Sequence, residues 1–128
     1  MKRHLTVLLL TFAAAAAVAA QAPPTSGDSA SVEAASVHLR ALDTLNGQAR
    51  DIATRVGETV TFGHLVIVVH ACRLPADDPD GEAMVYLTIT DTREAEPRFS
   101  GWMFASSPAL SALDHPRYDV WVESCSTS

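Results

Sequence analysis

Hydrophobic positions follow three regimes along the chain. Behind Lys2 and Arg3, positions 5–17 form an apolar run of Leu, Val, Phe and Ala broken by two Thr. Positions 21–36 are rich in Ala, Ser and Pro and show no period. From Val37 onward, short runs of alternating or continuous apolar residues are cut by turn signals, the pattern of a compact all-β domain. Val37, Leu39 and Ala41 alternate with His38 and Arg40, Asn46-Gly47 supplies a hairpin turn, and positions 49–56 make a polar-rich second strand. Positions 59–62 form a third strand, and Gly63 separates it from a fourth at 64–73. Leu65, Val66, Ile67, Val68 and Val69 are apolar on both phases, so this strand is expected to be central and covered on both faces.

The remaining elements follow the same logic. Pro79-Asp80-Gly81 marks a loop over 75–82, after which Val85, Leu87 and Ile89 alternate with Met84, Tyr86, Thr88 and Thr90. That alternation predicts a half-buried strand pairing back on the fourth. A charged loop over 91–97 leads to an aromatic strand at 98–105, and positions 118–123 make the last strand. Between them, Ser107 stands as N-cap of a helical turn through Leu113, with Pro108 at its first position. The expected fold is all-β: a small antiparallel sandwich or partly open barrel of about seven strands with one short helix and one disulfide.

Composition adds a compartment and removes some classes of function. The charged start, the apolar run and the small residues Val18 and Ala20 read as a signal peptide over 1–20 cleaved before Gln21. Positions 21–36 then form a flexible leader and 37–126 a single β domain, placed in the periplasm. The run is short and alanine-dominated, so it reads as a signal and not as a membrane anchor, and no stable membrane insertion is expected after cleavage. Fifteen Asp and Glu outnumber nine Lys and Arg, a formal charge of -6, or -8 without Lys2 and Arg3. A nucleic-acid partner is excluded by the missing basic stripe.

Two cysteines, Cys72 and Cys125, lie 53 positions apart, and an even pair in a small exported domain points to one disulfide. A redox couple or a metal site is the alternative. No Cys-x-x-Cys is present, and His70, two positions before Cys72 and so on the same strand face, completes only three of the four ligands a structural zinc needs. Asp77, Asp78 and Asp80 fail the EF-hand spacing, which would place Ala76 and Leu87 at ligand positions, and they read as a solvated loop. Ser106, Ser107, Asp114 and His115 supply the residue types of a nucleophile triad. They lack a nucleophile elbow, and Pro116 turns Asp114-His115 into a helix exit. No catalytic residue, metal site or cofactor is therefore assigned.

The densest feature is aromatic. Phe99, Gly101 and Met103 share one face of the 98–105 strand and Ser100, Trp102 and Phe104 the other, so one set is core and the other is free to form a patch. Trp102, Phe104, Ser106, Ser107, Pro108, Tyr118 and Trp121 together make a candidate interaction patch for an envelope protein. The segment Gly101-Trp102-Met103-Phe104-Ala105-Ser106-Ser107-Pro108-Ala109-Leu110-Ser111-Ala112-Leu113, with His115-Pro116 and Tyr118-Asp119-Val120-Trp121-Val122 before Cys125, resembles the uncharacterised exported family known as domain of unknown function 2155. Ala41-Leu42-Asp43, Gly47, Val56-Gly57-Glu58-Thr59-Val60, Phe62-Gly63 and Ala71-Cys72 are similar to its N-terminal half. Thr44 departs from the Lys often found there. The resemblance implies an envelope location and pairing of Cys72 with Cys125, and it brings no activity.

Three classes of function follow. The first is a non-enzymatic interaction or structural module of the cell envelope; the second is a small hydrolase using Ser106 or Ser107 with His115, and the third a small-ligand or metal carrier.

Overall fold

The computed structural model describes residues 30–128, so the signal and most of the leader lie outside the described residues. Eight strands run in the order β1 (Ser31–Glu33), β2 (Ser36–Asp43), β3 (Gln48–Arg55), β4 (Thr59–Phe62), β5 (Leu65–Pro75), β6 (Met84–Asp91), β7 (Phe99–Phe104) and β8 (Tyr118–Ser126). A 3-10 turn at Pro108–Leu110 sits between β7 and β8. All pairings are antiparallel and form two open sheets. In the first, β5, β6 and β7 are neighbours, and β1 and β4 pair with opposite halves of the free side of β5. In the second the order is β3-β2-β8.

The alternation fixes which side of each sheet faces inward. Val37, Leu39 and Ala41 of β2, Leu65, Ile67 and Val69 of β5, and Val85, Leu87 and Ile89 of β6 are fully buried between the sheets. Met103, Val120 and Val122 join them from β7 and β8. The Asn46-Gly47 turn closes the β2–β3 hairpin as expected: Gly47 adopts φ 71°, its N–H reaches the Asp43 carbonyl, and Asn46 Oδ1 accepts the Gln48 N–H.

Four expectations are corrected. Positions 30–36 belong to the domain and not to the leader, because β1 pairs with the end of β5 and Ala34 is buried, its N–H bonded to the Cys72 carbonyl. His70 and Cys72 do not share a face. The β5–β6 register shifts between Val69 and Ala71: His70 keeps the outward phase of Val66 and Val68, and the bulge turns Cys72, which would otherwise follow it, into the core. β5 is covered on one face only, with Val66 and Val68 half-buried on the outer side. Ser107 precedes a three-residue 3-10 turn and makes no side-chain cap; the Leu110 N–H to Ser107 carbonyl bond closes the turn instead.

Cys72 and Cys125 join β5 to β8 across the core, with Cα atoms 6.5 Å apart. At the other end of β8, Tyr118 is fully buried, packs edge-on against Phe62, and accepts the His64 N–H on its hydroxyl. Gly63 makes that fit possible: its φ is +57°, and a Cβ there would lie 2.5 Å from the Tyr118 hydroxyl.

Two predictions follow. Reduction of Cys72–Cys125, or its replacement by Ser, lowers the unfolding free energy by up to about 4 kcal/mol, read from denaturant midpoints with and without reductant. Gly63→Ala destabilises by more than about 2 kcal/mol, since it adds steric overlap with Tyr118 to the left-handed backbone penalty. Gly57→Ala, at φ +89° with open space around it, isolates the backbone part, and equal losses at both sites would contradict the Tyr118 packing.

Candidate interaction face and a buried polar end

The outer face of the first sheet is where apolar side chains accumulate without a covering layer. Cross-strand register places Met84 opposite Phe104, Tyr86 opposite Trp102, and Thr88 opposite Ser100. β5 adds Val66, Val68 and Ala71 on the same side. All except Ser100, which is exposed, are half-buried. The aromatic rings are held by one another: Tyr86 and Trp102 meet edge to face at 5.4 Å, His70 meets Tyr86 at 5.4 Å, and the Arg73 guanidinium lies 5.2 Å from the Trp102 ring centre. Beside them runs a polar row in which His70 Nε2 lies 2.8 Å from Thr88 Oγ1, and Thr88 Oγ1 lies 3.2 Å from Ser100 Oγ. Aromatic and cation–π contacts of this kind contribute about 0.5–1.5 kcal/mol each, enough to restrict the rotamers of an otherwise solvent-facing cluster.

The seven residues of the sequence-derived patch do not converge. Trp102 and Phe104 lie on this outer face, whereas Tyr118 is in the core. Trp121 points from β8 to the outer side of the second sheet, where it lines a cleft of about 360 Å³ with Pro108, Ala109 and Ala112. Ser106 is exposed and Ser107 half-buried on the segment joining the two regions. Met84 and Tyr86 lie outside the sequence-derived patch, and the sequence signal for them is their phase opposite Val85, Leu87 and Ile89.

A second unforeseen feature closes one end of the sandwich. The core-facing phase of β2 ends on Asp43 and that of β6 on Asp91, both buried. Asp91 accepts the Arg93 backbone N–H, two guanidinium N–H groups of Arg93 and the His115 ring, whose Nε2 lies 2.9 Å away. Asp43 accepts the Leu45 N–H and a bidentate pair from Arg117 at 3.0 and 2.7 Å. Arg93 hydrogen bonds hold the Asp91 carboxyl far below the usual aspartate range despite burial, and Arg117 lowers that of Asp43 in the same way. A carboxylate on a core phase, followed in each case by Thr, was the sequence signal for this pair.

The same geometry bears on the triad reading. His115 Nδ1 accepts the N–H groups of Arg117 and Tyr118 at 3.0 and 3.2 Å, so the ring proton sits on Nε2 and is donated to Asp91. With a side chain 2% exposed and both nitrogens engaged, His115 has no lone pair to take a proton from Ser106 or Ser107. Among the described residues, no three His, Cys, Asp or Glu side chains gather into a metal-ligating group, and no helix is long and apolar enough to cross a membrane.

Fold and surface define a disulfide-bonded, two-sheet β domain with an aromatic cluster on the outer face of its first sheet. The chain belongs to the family of uncharacterised proteins conserved in bacteria designated DUF2155, which it matches over residues 37–125. An uncharacterised protein of Rickettsia prowazekii (strain Madrid E) is 31% identical over 88 residues, covering 66% of this chain and 57% of that relative. The chain thus spans little more than half the length of the curated relative it matches. No solved structure matches.

The buried carboxylates predict an acid limb. In the unfolded chain Asp43 and Asp91 protonate near the ordinary value of 3.8, and in the fold only at lower pH. Their contribution is therefore fully present above about pH 5 and is lost as pH falls through 4 toward the folded values. Asp91→Asn lowers stability at pH 7 and makes it fall less steeply below pH 4; an acid slope identical to wild type in pH-dependent urea melts would remove Asp91 from this role.

Proposed function

We propose that the protein is an exported, non-enzymatic binding module of the cell envelope, whose partner protein docks on the outer face of the first sheet. The observation that carries this reading is an asymmetry between the two outer faces. That of the second sheet is mixed: Trp121 and Leu42 lie among His38, Arg40, Asp51, Arg55, Asp119 and Glu123, with Arg40 bridging Asp51 at 3.5 Å and Glu123 at 3.7 Å. That of the first bears Met84, Tyr86, Trp102, Phe104, Val66 and Val68. Aromatic residues and Met mark the energetic centres of protein interfaces, and rings already fixed in place lose little entropy on binding.

Three further points support the reading. The disulfide suits an oxidising compartment, and the N-terminal sequence has the layout of an export signal. The hydrolase alternative loses its base, since His115 is committed to Asp91 and two backbone N–H groups.

The test is crosslinking and pull-down of the oxidised protein from intact cells. Tyr86→Ala and Trp102→Ala each weaken partner capture by more than about 2 kcal/mol, roughly 30-fold, while Trp121→Ala leaves it unchanged. Thermal midpoints of the Tyr86 and Trp102 variants stay within a few degrees of wild type, because both side chains are outside the core. Undiminished capture by folded Tyr86 and Trp102 variants would place the interface elsewhere.

A further inference from the structure

Beside the buried polar end, at the opposite end of β6 from Met84, an open pocket of about 450 Å³ is lined by Thr44, Leu45, Arg93, Pro116 and Arg117. Its two cations are held in an unusual way. Each guanidinium spends Nε–H and one Nη2–H on a carboxylate that is itself buried, Asp91 for Arg93 and Asp43 for Arg117. The carboxylates are 1% and 7% exposed, whereas the arginine side chains are 53% and 30% exposed. Each ion pair is thus a fixed dipole with its negative end in the protein and its positive end at the pocket.

Counting donors and acceptors sharpens the point. A guanidinium carries five N–H groups, so about three on each arginine remain after the bidentate pair. Among the described residues no acceptor takes them. Thr44 Oγ1 donates to the Arg117 carbonyl. The Arg117 plane is fixed by Tyr118, whose ring centre lies 5.0 Å from its guanidinium carbon, and Arg93 and Arg117 line the same pocket. Next to these donors, Leu45 is 76% exposed, and Pro116 forms a second apolar wall. The pocket therefore pairs two oriented cations with an apolar shelf.

We propose that this pocket binds the α-carboxylate of a peptide C-terminus whose last side chain is apolar. The planar carboxylate bridges Arg93 and Arg117 through their free N–H groups, and the terminal side chain lies against Leu45 and Pro116. Inorganic phosphate offers the same charge and hydrogen-bond acceptors without an apolar group, so the shelf distinguishes the two. The site is separate from the aromatic sheet face and stands whether or not that face has a partner.

The test is an NMR titration of the oxidised protein with N-acetyl-Ala-Leu bearing a free carboxylate, with the C-terminal amide of that dipeptide, and with inorganic phosphate. The free acid produces saturable shifts at Leu45, Arg93 and Arg117, and the amide produces none. Arg93→Gln weakens binding about tenfold, the loss of one charge-assisted contact. Because Arg93 also serves Asp91, Leu45→Glu provides a second variant that leaves both ion pairs intact; its carboxylate occupies the mouth, and binding of the free acid is lost. Rising salt weakens binding. Equal responses to acid and amide, no saturable shift, unchanged affinity in folded Leu45→Glu, or tighter binding of phosphate than of the acid would overturn the proposal.

Discussion

A carboxylate on the core-facing phase of a strand is costly to bury unless a cation and further hydrogen bonds come with it. Asp43 and Asp91 impose that requirement at one end of the sandwich, and much of the chain's path there answers it. For Asp91 the cation is local, since Arg93 lies two residues on and the turn after β6 supplies both its backbone and side-chain donors. For Asp43 it is distant: Arg117 is 74 positions away. The segment between β7 and β8 must therefore return to the end of β2. His115 fastens it, with one ring nitrogen on Asp91 and the other under the N–H groups of Arg117 and Tyr118. Thr44 completes the closure by donating its N–H and hydroxyl to the Arg117 carbonyl. Tyr118 then enters β8 already inside the core.

The other end of the same strand is closed covalently. Cys125, seven positions beyond Tyr118, meets Cys72 of β5, so β8 is tied to the first sheet by a polar cluster at its start and a disulfide near its finish. Between these points β8 faces the first sheet through side-chain burial, which is non-directional and tolerates sliding, and at the β3 edge Arg50 adds a hydrogen bond to the Thr61 carbonyl of β4. The two ties at the ends of β8 are directional, and they fix how that strand lies against the first sheet.

Much of this was legible in the sequence and some was not, for identifiable reasons. Seven of the eight strands follow from alternation and turn residues, since Asn46-Gly47, Gly57, Gly63 and Pro79-Asp80-Gly81 punctuate them clearly. β1 was not legible: Ser31, Val32 and Glu33 carry one apolar residue, and their strand exists only because the end of β5 offers a free edge. The bulge at His70 was equally hidden, because a run of Val and Ile does not say where a register will slip, and a one-residue slip moves every later side chain to the other face. Trp102 and Phe104 lie on the face opposite Met103, whereas Tyr118 and Trp121 are near them in sequence alone. Tyr118 belongs to the phase of Val120 and Val122, and Trp121 to the opposite one. The carboxylate pair is hard to read from sequence, because Asp at a strand end ordinarily reads as a turn residue.

The continuous apolar run in β5 shows how the two outer faces came to differ. A strand buried on both sides needs Val and Ile at every position, and the sequence of β5 satisfies that need, yet the fold supplies a covering layer on one side only. Its core phase accounts for Leu65, Ile67 and Val69. Folding alone places no such demand on Val66 and Val68, nor on Met84, Tyr86, Trp102 and Phe104 beside them, since a half-exposed position in a sheet accepts Thr or a charged residue at little cost. The second sheet of the same molecule meets solvent in that way through Arg40 and its acidic neighbours. A strand composed as though covered on both faces, in a fold that covers one, leaves apolar positions that folding does not require, and the fixed rings of Tyr86 and Trp102 are the centre of the face on which the proposed partner would dock.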